Sequence, residues 1–438
     1  MADAATVIGV IGGAVGVVGG GGGLVGLWRV WRQEHREEQQ GFFASYEKSI
    51  ATLEKLYQRE SDPAKKEANK QKLETVENEY LEQQEAYRQN CALRQSAPRG
   101  ALTAERRPPT EPVRIELTEL LEKTRLLSPA LLAEEDHFLR GNALYALGRY
   151  DEAVDQYNAA LALRPDDPAI LNNRGAALIG LKRWDEALAD CDRSLELRPD
   201  DPNTLSNRGA ILSELKRYEG ALADFNRSLE LRPDDPNTLY NRGTAFGHLE
   251  RYEEALADFN RSLELRPDDP NTLTNRGLTL RNLGRYEEAL ADYNRSLELL
   301  PDDPNALNNR GFALTKVGRL EEALADLDRS LDIRPEHPGT ISSRALALVK
   351  LGQQEQAFSD FARALALKPD DPDILYDRAC AFSVAGLWDE SLRDLAAAIA
   401  GAPRYRVEAR QDTDLEALRS HPEWGPKFWE LVGREETP

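Results

Sequence analysis

Asparagine stands two places before a glycine at 173, 207, 241, 275 and 309, each 34 residues from the next. A primary amide offers both a donor and an acceptor, so amides at a fixed spacing can bond the main chain of an extended peptide whatever its side chains are. The competing reading is that these amides hold neighbouring turns or face water. Catalytic and metal chemistry have no comparable pattern. His35, His137, His248, His337 and His421 are scattered, and Cys91, Cys191 and Cys380 share no CxxC spacing. That excludes a metal site built on local spacing and a disulfide framework, and it fits a reducing, cytosolic setting. No glycine-rich phosphate loop and no GxSxG elbow is present, and the many Asp and Glu are accounted for by helix caps and solvated helix faces. The expectation is a protein that is not an enzyme and has no cofactor.

The elements that carry the amides follow from the punctuation. Prolines at 165, 199, 233, 267, 301, 335, 369 and 403 are each 34 residues apart, the period of a helix-turn-helix repeat. Asp201 ahead of Pro202 has the form of a helix start, with a carboxylate to cap free amides and a proline in the first turn, where its missing N–H is harmless. That helix should run to about Leu215. A "KRYEG" or "GRYEE" turn follows. A second helix then carries Leu222, Phe225 and Leu229 on one face until Pro233 stops it.

Aligned on this period, residues 134–403 resemble the tetratricopeptide repeat family in eight units. The small residue of the first helix is Gly141, Gly175, Gly209, Gly243, Gly277 and Gly311, then Ala345 and Ala379. The small residue opening the second helix is Ala153, Ala187, Ala221, Ala255, Ala289, Ala323 and Ala357, with Ser391 in the last unit. The next inward position is Tyr157, Phe225, Phe259, Tyr293 and Phe361, and elsewhere Cys191, Leu327 and Leu395, all apolar.

The resemblance implies an all-α, right-handed superhelical solenoid that binds proteins. It places Asn173, Asn207, Asn241, Asn275 and Asn309 on the concave face, in a ladder like those of the O-linked N-acetylglucosamine transferase repeats and of importin-α. Asn203, Asn237, Asn271, Asn305 and Tyr240 complete the candidate peptide-binding set. The family's carboxylate clamp for acidic tails is disfavoured, because its basic positions here are mostly Asn, Ser, Thr and Ala. One departure is systematic: arginine precedes the small residue in every unit from Arg140 to Arg378. Aspartate recurs in the second helices from Asp190 to Asp394. The expectation is a structural Arg–Asp pair, within a unit or between neighbours, that fixes geometry more than it adds stability.

The rest of the chain flanks the array. A formal charge of -20 repels phosphate backbones, so no nucleic-acid partner is expected. Residues 4–28 contain no charged residue and are followed by Arg29, Arg32 and Arg36. This predicts a single membrane-spanning segment within 1–32, with the N-terminus outside and the repeats in the cytoplasm; a flexible glycine-rich tail is the other reading. Gly12, Gly16 and Gly20 share a helical face and suit self-association in lipid, hence a homo-oligomer. Residues 33–94 read as a helical hairpin or coiled-coil stalk, 95–112 as a flexible linker, 113–133 as an N-terminal capping region and 404–438 as C-terminal capping helices, with Leu415, Leu418, Trp424, Phe428 and Leu431 available to cover the last repeat.

The favoured function is a membrane-anchored scaffold that binds extended peptide segments of a partner protein. The alternatives are a membrane-perturbing oligomeric effector regulated by the repeats, and a non-catalytic subunit of an enzyme complex.

Overall fold

The computed structural model describes residues 63–96, 111–123 and 134–433, with scattered helical positions between 44 and 58. The glycine-rich segment, with Gly12, Gly16 and Gly20, lies outside the described residues. No described helix is long and apolar enough to cross a membrane. The described residues contain helices and turns and no strand. Two compact units are formed, Met1–Leu197 and Arg198–Pro438.

In the first unit, α1 (Pro63–Ser96) packs against α2 (Glu111–Lys123). Ala86, Leu117 and Leu121 are the apolar side chains buried there. α1 also touches α3 (Glu134–Ala146), so it lies on the rest of the unit. α3 pairs with α4 (Tyr150–Leu163), and α5 (Pro168–Gly180) with α6 (Trp184–Leu197).

The second unit holds six helix pairs: α7 (Pro202–Glu214) with α8 (Tyr218–Leu231), α9 (Pro236–His248) with α10 (Tyr252–Leu265), α11 (Pro270–Asn282) with α12 (Tyr286–Leu299), α13 (Pro304–Lys316) with α14 (Leu320–Ile333), α15 (Pro338–Lys350) with α16 (Gln354–Leu367), and α17 (Pro372–Val384) with α18 (Trp388–Gly401). Then come α19 (Tyr405–Glu408), a 3-10 turn (Thr413–Leu415), α20 (Glu416–Ser420) and α21 (Trp424–Val432).

The Asp-Pro pairs do what their chemistry suggests. Asp201 accepts hydrogen bonds from the Asn203 and Thr204 amides at 2.9 and 3.1 Å, with Pro202 in the first turn. In the seventh repeat His337 takes the aspartate's place, its Nδ1 accepting from the Thr340 amide at 3.2 Å. The second helices have no such side-chain cap at Arg217, Arg251, Arg285 or Arg319. They start from a tight turn whose first residue is left-handed: glycine at 284, 318, 352 and 386, but Lys182, Lys216 and Glu250 in three other turns, with φ of 58°, 58° and 59°. The closing bond is the same in each kind, Arg217 N to Leu212 O at 2.8 Å and Arg285 N to Leu280 O at 2.9 Å.

The small residue in each first helix is a matter of close approach. A Cβ placed on Gly209 would meet Phe225 Cε1 at 2.6 Å, and one on Gly277 would meet Tyr293 Cε1 at 2.7 Å. The ring from the second helix therefore sits against bare backbone, and Phe225, Phe259, Tyr293 and Phe361 are fully buried.

Candidate functional site

Successive first helices of the second unit pack on one another, α7 on α9, α9 on α11, α11 on α13, α13 on α15 and α15 on α17. They form one continuous face, which is where the asparagine ladder was expected.

The ladder is not uniform. Asn207 is 2% exposed, and in the first unit Asn173 is 0% exposed. Asn173 Nδ2 donates to Asn142 Oδ1 at 2.9 Å, which also receives the Tyr157 hydroxyl at 2.7 Å, and Asn172 Nδ2 donates to Asn173 Oδ1 at 3.1 Å. In this conformation Asn173 is part of a buried amide cluster and is not presented to a bound chain. Asn241, Asn275 and Asn309 are half-buried. Asn275 Nδ2 donates to the Tyr240 hydroxyl of the preceding repeat at 2.9 Å, and Asn309 Oδ1 accepts from Arg281 Nη1 at 3.5 Å. These three keep part of the amide at the surface of the face.

The asparagines near the helix starts have a different task. Asn203, Asn237 and Asn305 accept from Arg232 Nη1 at 2.9 Å, Arg266 Nη1 at 3.0 Å and Arg334 Nη2 at 2.6 Å. Each bond ties the end of a second helix to the start of its own repeat's first helix. Asn271 is exposed.

The arginine before each small residue pairs within its own repeat. Arg174–Asp190, Arg208–Asp224, Arg242–Asp258, Arg276–Asp292, Arg310–Asp326, Arg344–Asp360 and Arg378–Asp394 are two-pronged, with Nε and Nη2 on the two carboxylate oxygens at 2.5–3.1 Å. The third nitrogen reaches back one repeat: Arg242 Nη1 to Asn226 at 2.8 Å, Arg276 Nη1 to Asn260 at 2.9 Å and Arg344 Nη1 to Asp328 at 2.9 Å. The first repeat departs, since Gln156 replaces the aspartate and bonds His137 Nδ1 at 3.0 Å. Burial then lowers the Arg140 pKa, with Asp136 opposing it.

A second charged constellation lies where the sequence pointed only to an end cap. Leu415, Leu418, Phe428 and Val432 are buried in the core of the last repeats, but residues 404–415 also cross the first-helix face. The Tyr405 ring stacks on Tyr376 of α17 at 4.2 Å. Arg404 Nη2 and the Tyr405 hydroxyl each reach Asp373 Oδ1 at 2.5 Å. Asp412 takes Lys316 Nζ on both oxygens at 3.2 Å and the Tyr376 hydroxyl at 3.2 Å. Asp414 lies between Lys316 Nζ at 2.8 Å and Lys350 Nζ at 2.5 Å. The lysines end α13 and α15, so one short segment is held by two successive repeats.

This cluster sets its own protonation states. Burial opposes charge on Lys316, yet Asp412 and Asp414 raise its pKa well above the usual lysine value. Burial likewise opposes ionisation of Asp414, but Lys316 and Lys350 outweigh it and hold the carboxyl below its ordinary value. Burial pushes the Cys380 thiol up, with Asp412 adding to it. Cys380, Asp412 and Asp414 bring their ligand atoms within 4.8 Å of one another. The two ammonium groups supply the cations there, so the arrangement is that of an ion-pair cluster. Close by, Asp377 accepts from Ser342 Oγ at 2.9 Å, and burial raises its pKa to about 7 against the pull of Ser342 and Lys316.

Family models match the repeats directly. A model of the TPR repeat matches residues 141–182, and three tetratricopeptide repeat models match 234–302, 274–338, and 174–239 with 320–375. These units are tetratricopeptide repeats.

Solved structures align with parts of the chain. The Cut9–Hcn1 hetero-tetramer of the APC/C aligns over 73% of this chain and 59% of its own, at 13% identity and a TM-score of 0.50. YrrB, a TPR protein with an unusual peptide-binding site, aligns over 43% of this chain and 97% of its own at 24% identity, with a TM-score of 0.36. A thermophilic TPR protein of Thermus thermophilus aligns over 42% and 99% at 26% identity, with a TM-score of 0.37. No curated protein sequence matches the chain.

Against the TPR pattern, the lysine and aspartate cluster is what sequence reasoning missed. Lys316 and Lys350 are visible as basic residues at the ends of consecutive first helices. "QDTDLE" is visible as an acidic segment after the last repeat. Nothing in their spacing says that they meet.

Proposed function

We propose that this protein is a scaffold that binds an extended segment of a partner protein along the first-helix face of its TPR array. The observation that carries this reading is the half-buried row of Asn241, Asn275 and Asn309 on a face that first helices build without interruption. These amides are not consumed by the packing between paired helices, which rests on Gly209–Phe225 contacts and their equivalents. A bound main chain would replace the Asn275–Tyr240 and Asn309–Arg281 bonds with its own.

The reading includes attachment to a membrane through residues 4–28, supported by their uncharged, apolar composition and by Arg29, Arg32 and Arg36 after them. The deciding experiment is affinity purification from membranes with the full chain and with Asn241→Ala/Asn275→Ala/Asn309→Ala. A partner retained by the first and lost by the second, at unchanged thermal midpoint, supports the reading. Equal recovery by both removes the amides from it.

A further inference from the structure

The seat of residues 404–415 shows what chemistry the face accepts. Two aspartates separated by one residue, Asp412 and Asp414, meet Lys316 and Lys350 from two successive repeats, while Tyr376 and Cys380 of a third also face Asp412. The segment is built of short turns and spans three repeats, as a peptide from another protein would. One repeat earlier, in the last turn of α11, Asn282 occupies the position of these lysines in the 34-residue period, and Arg281 beside it supplies a cation. Its guanidinium lies 4.9 Å over the Phe312 ring and touches Asn309 and Asn282 at 3.3–3.5 Å. Among the described residues no carboxylate forms an ion pair with it, whereas Lys316 and Lys350 both have one. The face thus offers a row of three cations, Arg281, Lys316 and Lys350, and the chain's own segment neutralises two.

We propose that the first-helix face over α11, α13 and α15 is a binding surface for acidic peptide segments, with residues 404–415 as its resident occupant. A partner segment with carboxylates spaced to meet all three cations displaces the resident one. This rests on the peptide-binding reading above and names the chemistry of the ligand. Exchange is by replacement, because Lys316 is nearly buried and removing Asp412 and Asp414 with nothing in their place would leave two ammonium groups without counter-charge. Arg281 gives the incoming segment its first hold, outside the stretch already covered.

The test uses the full chain and a fluorescent peptide of the chain's own sequence from Arg404 to Leu418. Wild-type protein should bind it weakly, because the resident segment competes. Asp412→Asn/Asp414→Asn should bind it at least about tenfold more tightly, and adding Lys316→Gln/Lys350→Gln should abolish that gain. A second probe, oligo-aspartate, should bind the wild type and lose about five- to tenfold in affinity with Arg281→Gln. Equal affinity of the wild type and of a cooperatively unfolding Asp412→Asn/Asp414→Asn for the peptide overturns the proposal.

Should that variant fail to fold, hydrogen exchange on the wild type decides. Amides of 404–415 should lose protection when oligo-aspartate is added, and unchanged protection at saturating oligo-aspartate overturns the proposal. Failure of both acidic probes, with partner binding still lost in Asn241→Ala/Asn275→Ala/Asn309→Ala, brings down the acidic reading alone. Success of the probes with that variant's partner binding intact brings down the amide reading instead.

Discussion

Arg242 holds both carboxylate oxygens of Asp258 at 2.7 Å, one helix of the fourth repeat clasping the other. Asp258 is buried, so its charge depends on this partner. Removing one member of such a pair costs roughly 3–5 kcal/mol, since the other is left charged and unpaired. Asp258→Ala should therefore lower the thermal midpoint markedly. The double variant Arg242→Met/Asp258→Leu should be less destabilised than the sum of its single changes, as read from a double-mutant cycle by denaturant unfolding.

Three turns hold a side chain where the others hold glycine. Lys216 and Glu250 have φ of 58° and 59°, a left-handed conformation that costs an L-residue about 1 kcal/mol. Lys216→Gly and Glu250→Gly should each stabilise the protein by a few tenths to about 1 kcal/mol, because relief of that strain outweighs the added freedom of the unfolded chain. Chemical denaturation of each variant against wild type measures it.

The asparagine positions should separate by phenotype. Asn207 is buried, and Asn207→Ala should lower stability by about 1–3 kcal/mol through the polar neighbours it leaves unpartnered. Asn275→Ala, at a half-buried site, should leave the midpoint within a few degrees. Thermal unfolding of the two side by side, with partner binding measured in parallel, distinguishes a structural amide from a binding one.

Asp377 gives a pH dependence with a definite sign. Its folded pKa is raised to about 7 by burial, against the ordinary carboxyl value of 3.8 in the unfolded chain. Between these values the folded state holds the proton more tightly than the unfolded one, so stability from this group is present at low pH and falls as pH rises towards 7. The groups that act on it are Ser342, Lys316, Asp373 and Arg281. Asp377→Asn should be close to wild type at pH 4 and more stable at pH 8. A pH series of unfolding curves in which the two proteins stay parallel would remove Asp377 as the cause.

Membrane attachment makes its own prediction. Full-length protein should sediment with membranes and resist alkaline carbonate, while a chain beginning at Gln33 should remain in the supernatant. Full-length protein found wholly soluble without detergent would leave the glycine-rich tail as the reading for residues 4–28.

The repeat period and the helix pairs were legible because both depend on local chemistry. Asp201 and Pro202 set a helix start, and Gly209 announces the ring of Phe225. The Arg–Asp pairs were also legible as a shared period, though only coordinates show that Arg242 turns to its own repeat for Asp258 and to the previous one for Asn226. The ladder was legible as a pattern and not as an environment: Asn173 and Asn275 look alike in sequence, yet one is buried beside Asn142 and the other bonds the Tyr240 hydroxyl at the surface. Lys316 and Asp414 were out of reach altogether. They lie 98 residues apart, and only the path of the chain after α18 brings them together.

The way Arg242, Arg276, Arg310 and Arg344 each reach forward within a repeat and backward to the one before gives these joints the same polarity. A plug on one unit meets a socket on the one before it. Loss or duplication of a whole 34-residue unit between Pro199 and Pro301 therefore leaves each plug with a socket of the same kind. The number of units can drift by unequal exchange in the gene while the protein keeps folding, and what changes is the length of the first-helix face.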